Sequence, residues 1–142
     1  MSVKKYFLNT NIFDELFRGG PASADIAFIL EHIKRKNIIG YASPKTLMDI
    51  YYLFHSELGW KEANKKIKFI YSLVEISTQS SEEVKEAFAL NWSDFEDAMQ
   101  MTSAKNAEVD KLITLDKKFR NKDSEFIWTP YDLKSFLLNS VT

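Results

Sequence analysis

The stretch that decides the fold is SDFEDAMQMTSA, residues 93–104. Ser93 with Glu96 three residues on has the form of a capping box, so a helix is expected to begin here. Asp94 in its first turn suits the helix dipole, an ordinary structural role. Asp97 resists that explanation. It shares a helical face with Asp94 at i, i+3 and is followed by Ala98, Met99, Met101 and Ala104. A carboxylate among small and apolar residues is costly to bury unless a positive charge meets it.

Working outward, short apolar runs alternate with helical patterns. Residues 4–8, 38–42, 73–76, 111–114 and 126–128 read as strands. Residues 12–18, 22–36, 44–56, 60–70, 81–91, 94–107 and 130–139 read as helices. Gly19-Gly20-Pro21 is a strong break, and Ser43-Pro44 and Pro130 open helices. Strands that alternate with helices imply an α/β fold: a three-layer α/β/α arrangement about a central parallel sheet of some five strands. The 142 residues read as one domain, 1–142, long enough to bury roughly two-thirds of the unfolded surface.

Composition narrows the chemistry. Hydrophobic residues make up 45% of the chain and aromatics 14%, enough for a packed core and against disorder. There are no cysteines, which removes disulfides, thiolate metal sites and cysteine nucleophiles. A net charge of −1 argues against nucleic-acid binding through bulk positive charge, although basic clusters such as Lys34-Arg35-Lys36 and Lys117-Lys118 remain. No apolar run approaches the ~20 residues of a membrane helix, and too few apolar residues follow the first lysines for a signal sequence. A cytoplasmic protein is expected.

In parallel sheets, functional groups gather beyond the carboxyl ends of the strands. Three acids beside Asp97 answer to that rule or lie near it. Asp116 follows the KLIT strand, and as an ordinary N-cap it would start a turn through Lys117-Lys118-Phe119. Asp49 sits in TLMDIYYLF after the second strand, where a surface pair with Lys45 is the plain alternative. Asp94 adjoins Asp97. After the first strand the chain reads YFLNTNIF, residues 6–13, with Asn11 as candidate N-cap. Like charges gathered in one pocket persist when a dication sits among them, and oxygen-only ligands select Mg²⁺ or Mn²⁺.

Four phrases, in order along nearly the whole chain, resemble the PIN-domain family, which includes VapC-type toxins and related metal-dependent ribonucleases. They are YFLNTNIF, TLMDIYYL, DFEDAMQMTSA and ITLDKKF. Two depart from the family pattern: Asn9 stands where the family has its first metal-binding aspartate, and Asp49 where it usually has glutamate. The resemblance implies that Asp97 and Asp116 hold the metal with Asp94 adjoining. Asp49 becomes a weakened contributor to metal and catalysis, and Asn9 a neutral stand-in. It implies support from Asn11 and Thr114 through hydrogen bonds, and phosphate contacts from Lys45, Lys117 and Lys118. An RNA substrate, an antitoxin-like protein partner and a homodimer come with it.

Two functions stay open at this point. One is an impaired Mg²⁺/Mn²⁺-dependent endoribonuclease. The other is a non-catalytic module that binds RNA or a protein. A phosphate-accepting receiver domain fits poorly, because the acids are spread after strands one, two and four. His32 and His55 lack a second ligand at metal spacing, and Trp60, Trp92 and Trp128 read as packing residues, with Trp92 the one candidate for RNA contact.

Overall fold

In the computed structural model, which describes residues 2–140, five parallel strands form one sheet. They are β1 (Lys5–Leu8), β2 (Ile39–Ala42), β3 (Glu75–Ile76), β4 (Lys111–Ile113) and β5 (Ile127–Trp128), in the order β3-β2-β1-β4-β5. The helices are α1 (Thr10–Arg18), α2 (Ser23–Lys34), α3 (Pro44–Leu58), α4 (Trp60–Leu73), α5 (Ser81–Leu90), α6 (Phe95–Asn106), α7 (Lys117–Arg120) and α8 (Pro130–Asn139).

Alternation along β1 explains the three layers. Tyr6 and Leu8 point into one core with Ile12 and Phe13 of α1, Ile26 and Ile29 of α2, Ile50 of α3, Ile70 of α4 and Leu133 of α8. Phe7, between them, joins the opposite core with Leu112, Ile127, Met101 and Ala104 of α6 and Phe119 of α7. With both faces covered, β1 and β4 are apolar after their first lysines, as expected for a parallel sheet.

The local signals work mostly as the sequence suggests, with shifts at three ends. The N-cap of α1 is Asn9, whose side chain accepts from the Asn11 backbone N–H at 3.4 Å, and the helix starts at Thr10. Asn11 is therefore inside the helix, which frees its amide for the loop after β4. The cap of α6 is Asp94, not Ser93: its carboxylate accepts from the Asp97 N–H at 3.0 Å. Glu96 then has no capping role, and the reciprocal capping box occurs instead in α8, between Thr129 and Asp132. Helix α4 also runs three residues beyond the expected 60–70, so the edge strand β3 is left with only two residues. Gly19, at φ +66°, closes α1 in the left-handed region that favours glycine.

β1 lies at the middle of the strand order, with β2 on one side and β4 on the other. The chain turns to opposite sides at this point, which opens a crevice beyond the carboxyl ends of β1 and β4.

Candidate metal centre

The floor of this crevice is a buried polar network joining four separate segments. From α1, Asn11 Nδ2 donates to Thr114 Oγ1 at 3.1 Å, and Asn11 Oδ1 accepts from the Leu115 N–H at 3.1 Å. Thr114 also accepts from the Asp116 N–H at 3.1 Å. On the other side, Thr10 Oγ1 lies 2.8 Å from Thr46 Oγ1, which is 3.4 Å from the N-cap hydroxyl of Ser43. Gln100 of α6 completes the floor by donating to Ser43 Oγ at 3.2 Å. Ser43, Thr46 and Thr114 are fully buried. Hydroxyls and amides that satisfy each other in this way fix the loop ends at little desolvation cost.

Above the floor is a crevice of about 300 Å³ lined by Asn9, Thr10, Asn11, Asp14, Asp49, Leu53, Asp94, Glu96, Asp97, Gln100 and Asp116. Acids from α3, from α6 and its cap, and from the start of α7 thus line one pocket, beside the neutral Asn9. Asp94 and Asp116 each use Oδ1 to cap a helix. Among the described residues, the second oxygen of each has no hydrogen-bond partner.

Asp97 is the most constrained of these groups. Burial, then the charges of Asp94, Asp116 and Glu96, push its carboxyl up to about 6, with only Lys118 acting in the other direction. The crowding that the sequence suggested is physically present. A carboxyl raised by burial and like charges in a cleft is a candidate functional group.

Asp49 is differently placed. The Lys45 ammonium lies 2.8 Å from both its carboxylate oxygens and also pairs with Glu96 across the crevice. Burial works against the Lys45 charge, but the two carboxylates outweigh it and raise the pKa above the ordinary lysine value. Lys45 is therefore a committed cation, already neutralising two acids. Lys117 and Lys118 lie exposed in the first turn of α7, where they stand clear of such pairs.

Glu96, Asp14 and Gln100 were not singled out by the sequence as lining residues. Asp14 pairs with Arg18 one turn on, at 2.7 Å, which is an ordinary surface ion pair read from the sequence alone. Gln100 carries a stronger signal: it is 5% exposed, and its Oε1 has no partner among the described residues. An unpaired buried carbonyl oxygen beside carboxylates favours a cation or the water bound to it.

These donors fit a hard divalent ion in chemistry, being oxygen throughout. Their present spacing is looser than a finished site. Among the described residues, no three acidic or histidine side chains are gathered at ligand spacing.

A family model for the PIN domain matches residues 5–118. The chain belongs to the PIN-domain family. No curated protein sequence matches it. Solved PIN-domain structures agree with the fold. A chain of VapBC2 from Rickettsia felis, bound to a DNA fragment from its promoter, superposes with a TM-score of 0.71 at 19% identity, covering 88% of this chain and 98% of that one. A toxin–antitoxin complex from Klebsiella pneumoniae gives 0.68 at 20% identity, covering 89% and 98%. The sarcin-ricin-loop-cleaving toxin VapC20 of Mycobacterium tuberculosis gives 0.66 at 13% identity, covering 83% and 95%. At these identities the likeness is one of fold. The PIN match spans the first three phrases that carried the sequence resemblance and reaches Lys118 of the fourth.

Proposed function

We propose that this PIN domain is a Mg²⁺- or Mn²⁺-dependent endoribonuclease whose metal centre is weakened at two positions. The observation that carries the reading is the convergence of Asp94, Asp97 and Asp116, from α6 and the cap of α7, on one crevice, where burial and the neighbouring charges also raise the Asp97 carboxyl. Bound among these acids, the ion would lower the pKa of a water and offset phosphate charge. The chain's residues supply the rest. Asp97 and Asp116 are the ligands, Asp94 adjoins them, and Asn11 and Thr114 hold the Asp116 loop in place. Asn9 contributes an amide oxygen without charge, and it cannot serve as a base. Lys117 and Lys118, exposed beside Asp116, would contact an RNA phosphate.

Partner and setting follow the same reading. Toxin–antitoxin assemblies among the structural neighbours support an antitoxin-like protein partner, and we place the domain in the cytoplasm as a homodimer. Among the described residues no helix is long and apolar enough to cross a membrane.

Cleavage of single-stranded RNA in Mn²⁺ tests the proposal. Asp97→Asn abolishes cleavage, and Asn9→Asp raises it. A second reading, a non-catalytic module that binds RNA or a protein, is favoured by the neutral Asn9 and the open spacing of the acids. It predicts no Mn²⁺ heat in calorimetry and no gain of cleavage from Asn9→Asp.

A further inference from the structure

Lys45 and Asp49 are one turn apart at the start of α3, and Glu96 is in the first turn of α6, on the opposite wall of the crevice. The ammonium bonds both oxygens of Asp49 at 2.8 Å and pairs with Glu96 as well. Both acids line the crevice. Lys45 itself is only about one-third exposed in its side chain, as is Asp49, so this pair is better shielded than an ordinary surface bridge. Gln100, buried in the same crevice lining, has an Oε1 with no hydrogen-bond partner among the described residues.

We propose that Lys45 is a tethered cation that occupies part of the metal centre, holding Asp49 and Glu96 away from the divalent ion so that only the Asp94, Asp97 and Asp116 side is left to bind it. The shorter aspartate at 49 suits this arrangement, because an i, i+4 lysine reaches it within the same helix. The ammonium fixes one positive charge where repulsion between α3 and α6 acids would otherwise open the crevice. It also repels an arriving dication. A weak site with a built-in counter-ion is the consequence, and freeing Asp49 and Glu96 restores ligands to it. This inference rests on the proposed metal centre.

Calorimetric titration with Mn²⁺ alone, without RNA, tests it on the full chain. Lys45→Met keeps the apolar stem and removes the charge. It tightens Mn²⁺ binding by roughly tenfold, the scale on which positioning partners act at metal sites. The gain shrinks when Lys45→Met is made in an Asp49→Asn background and compared with Asp49→Asn alone, because part of it runs through Asp49. Lys118→Met, which removes another lysine charge near Asp97, gives a gain that survives Asp49→Asn. Circular dichroism melts confirm that each variant is folded. Unchanged or weaker binding by Lys45→Met overturns the inference, and so does a gain that is undiminished in the Asp49→Asn background. Asp97→Asn separates the two levels. Its loss of Mn²⁺ binding upholds the metal centre whatever Lys45 does, whereas full retention sinks the centre and the inference together. Absence of binding in both wild type and Lys45→Met also sinks both.

Discussion

Asn11 Nδ2 donates to Thr114 Oγ1 at 3.1 Å, joining residues 103 positions apart in sequence. The same amide accepts from the Leu115 N–H, and Thr114 accepts from the Asp116 N–H. The start of α1 is therefore locked to the loop that presents Asp116. Asn11→Ala leaves the Leu115 N–H unpaired, and destabilisation of about 1–3 kcal/mol is expected from urea unfolding. Thr114→Val has a similar cost, and the double variant is less destabilised than the sum, since the two share a bond.

Asp97 links stability to pH with a definite sign. Its folded pKa of about 6 lies above the ordinary value of 3.8, so between these the folded chain holds a proton the unfolded chain has released. The stabilisation from this group is complete below about 4 and is lost as pH rises through 6. In chelator, the wild type should lose stability across that window, while Asp97→Asn loses the slope and melts higher at pH 7.5. Equal pH profiles for the two proteins would remove the case for a strained carboxylate.

Asn9→Asp separates apo from metal-bound behaviour. Aspartate caps a helix as well as asparagine, so α1 forms unaltered. The added charge faces a crevice already lined by Asp94, Asp97 and Asp116. Without metal the variant melts lower than wild type, and with Mn²⁺ its melting point rises further than that of wild type. Differential scanning fluorimetry with and without the ion reads both effects.

Glu83 holds α6 from behind. It is 1% exposed and accepts from Ser103 Oγ of α6 at 2.8 Å and from Thr78 Oγ1. Glu83→Ala leaves the buried Ser103 hydroxyl unpaired, and a loss of about 1–3 kcal/mol follows, with Glu83→Gln costing less. Chemical denaturation of the two variants distinguishes them.

The sequence carried the layered fold because its signals are local and agree with one another. Apolar runs such as Tyr6-Phe7-Leu8 are the strands of a sheet covered on both sides, and Ser43-Pro44 opens α3 as its chemistry suggests. Cap positions were harder to read: Ser93 and Asp94 both suit an N-cap, and only the backbone path decides which oxygen reaches the Asp97 N–H. The Lys45–Asp49 pair was legible at i, i+4, but its extension to Glu96 was not, since that contact depends on how α3 meets α6. The floor through Thr10, Thr46, Ser43 and Gln100 was hidden for the same reason. Each of these residues is unremarkable in its own segment, and their meeting is a property of the sheet's strand order.

The central claim is that carboxylates of Asp97 and Asp116 hold one hard dication beyond the ends of β1 and β4. Anomalous diffraction from a crystal soaked in Mn²⁺ tests it most directly. A single strong peak bonded to oxygens of both residues is the predicted result. A fully soaked crystal whose Mn²⁺ peaks all lie away from these two carboxylates would contradict it.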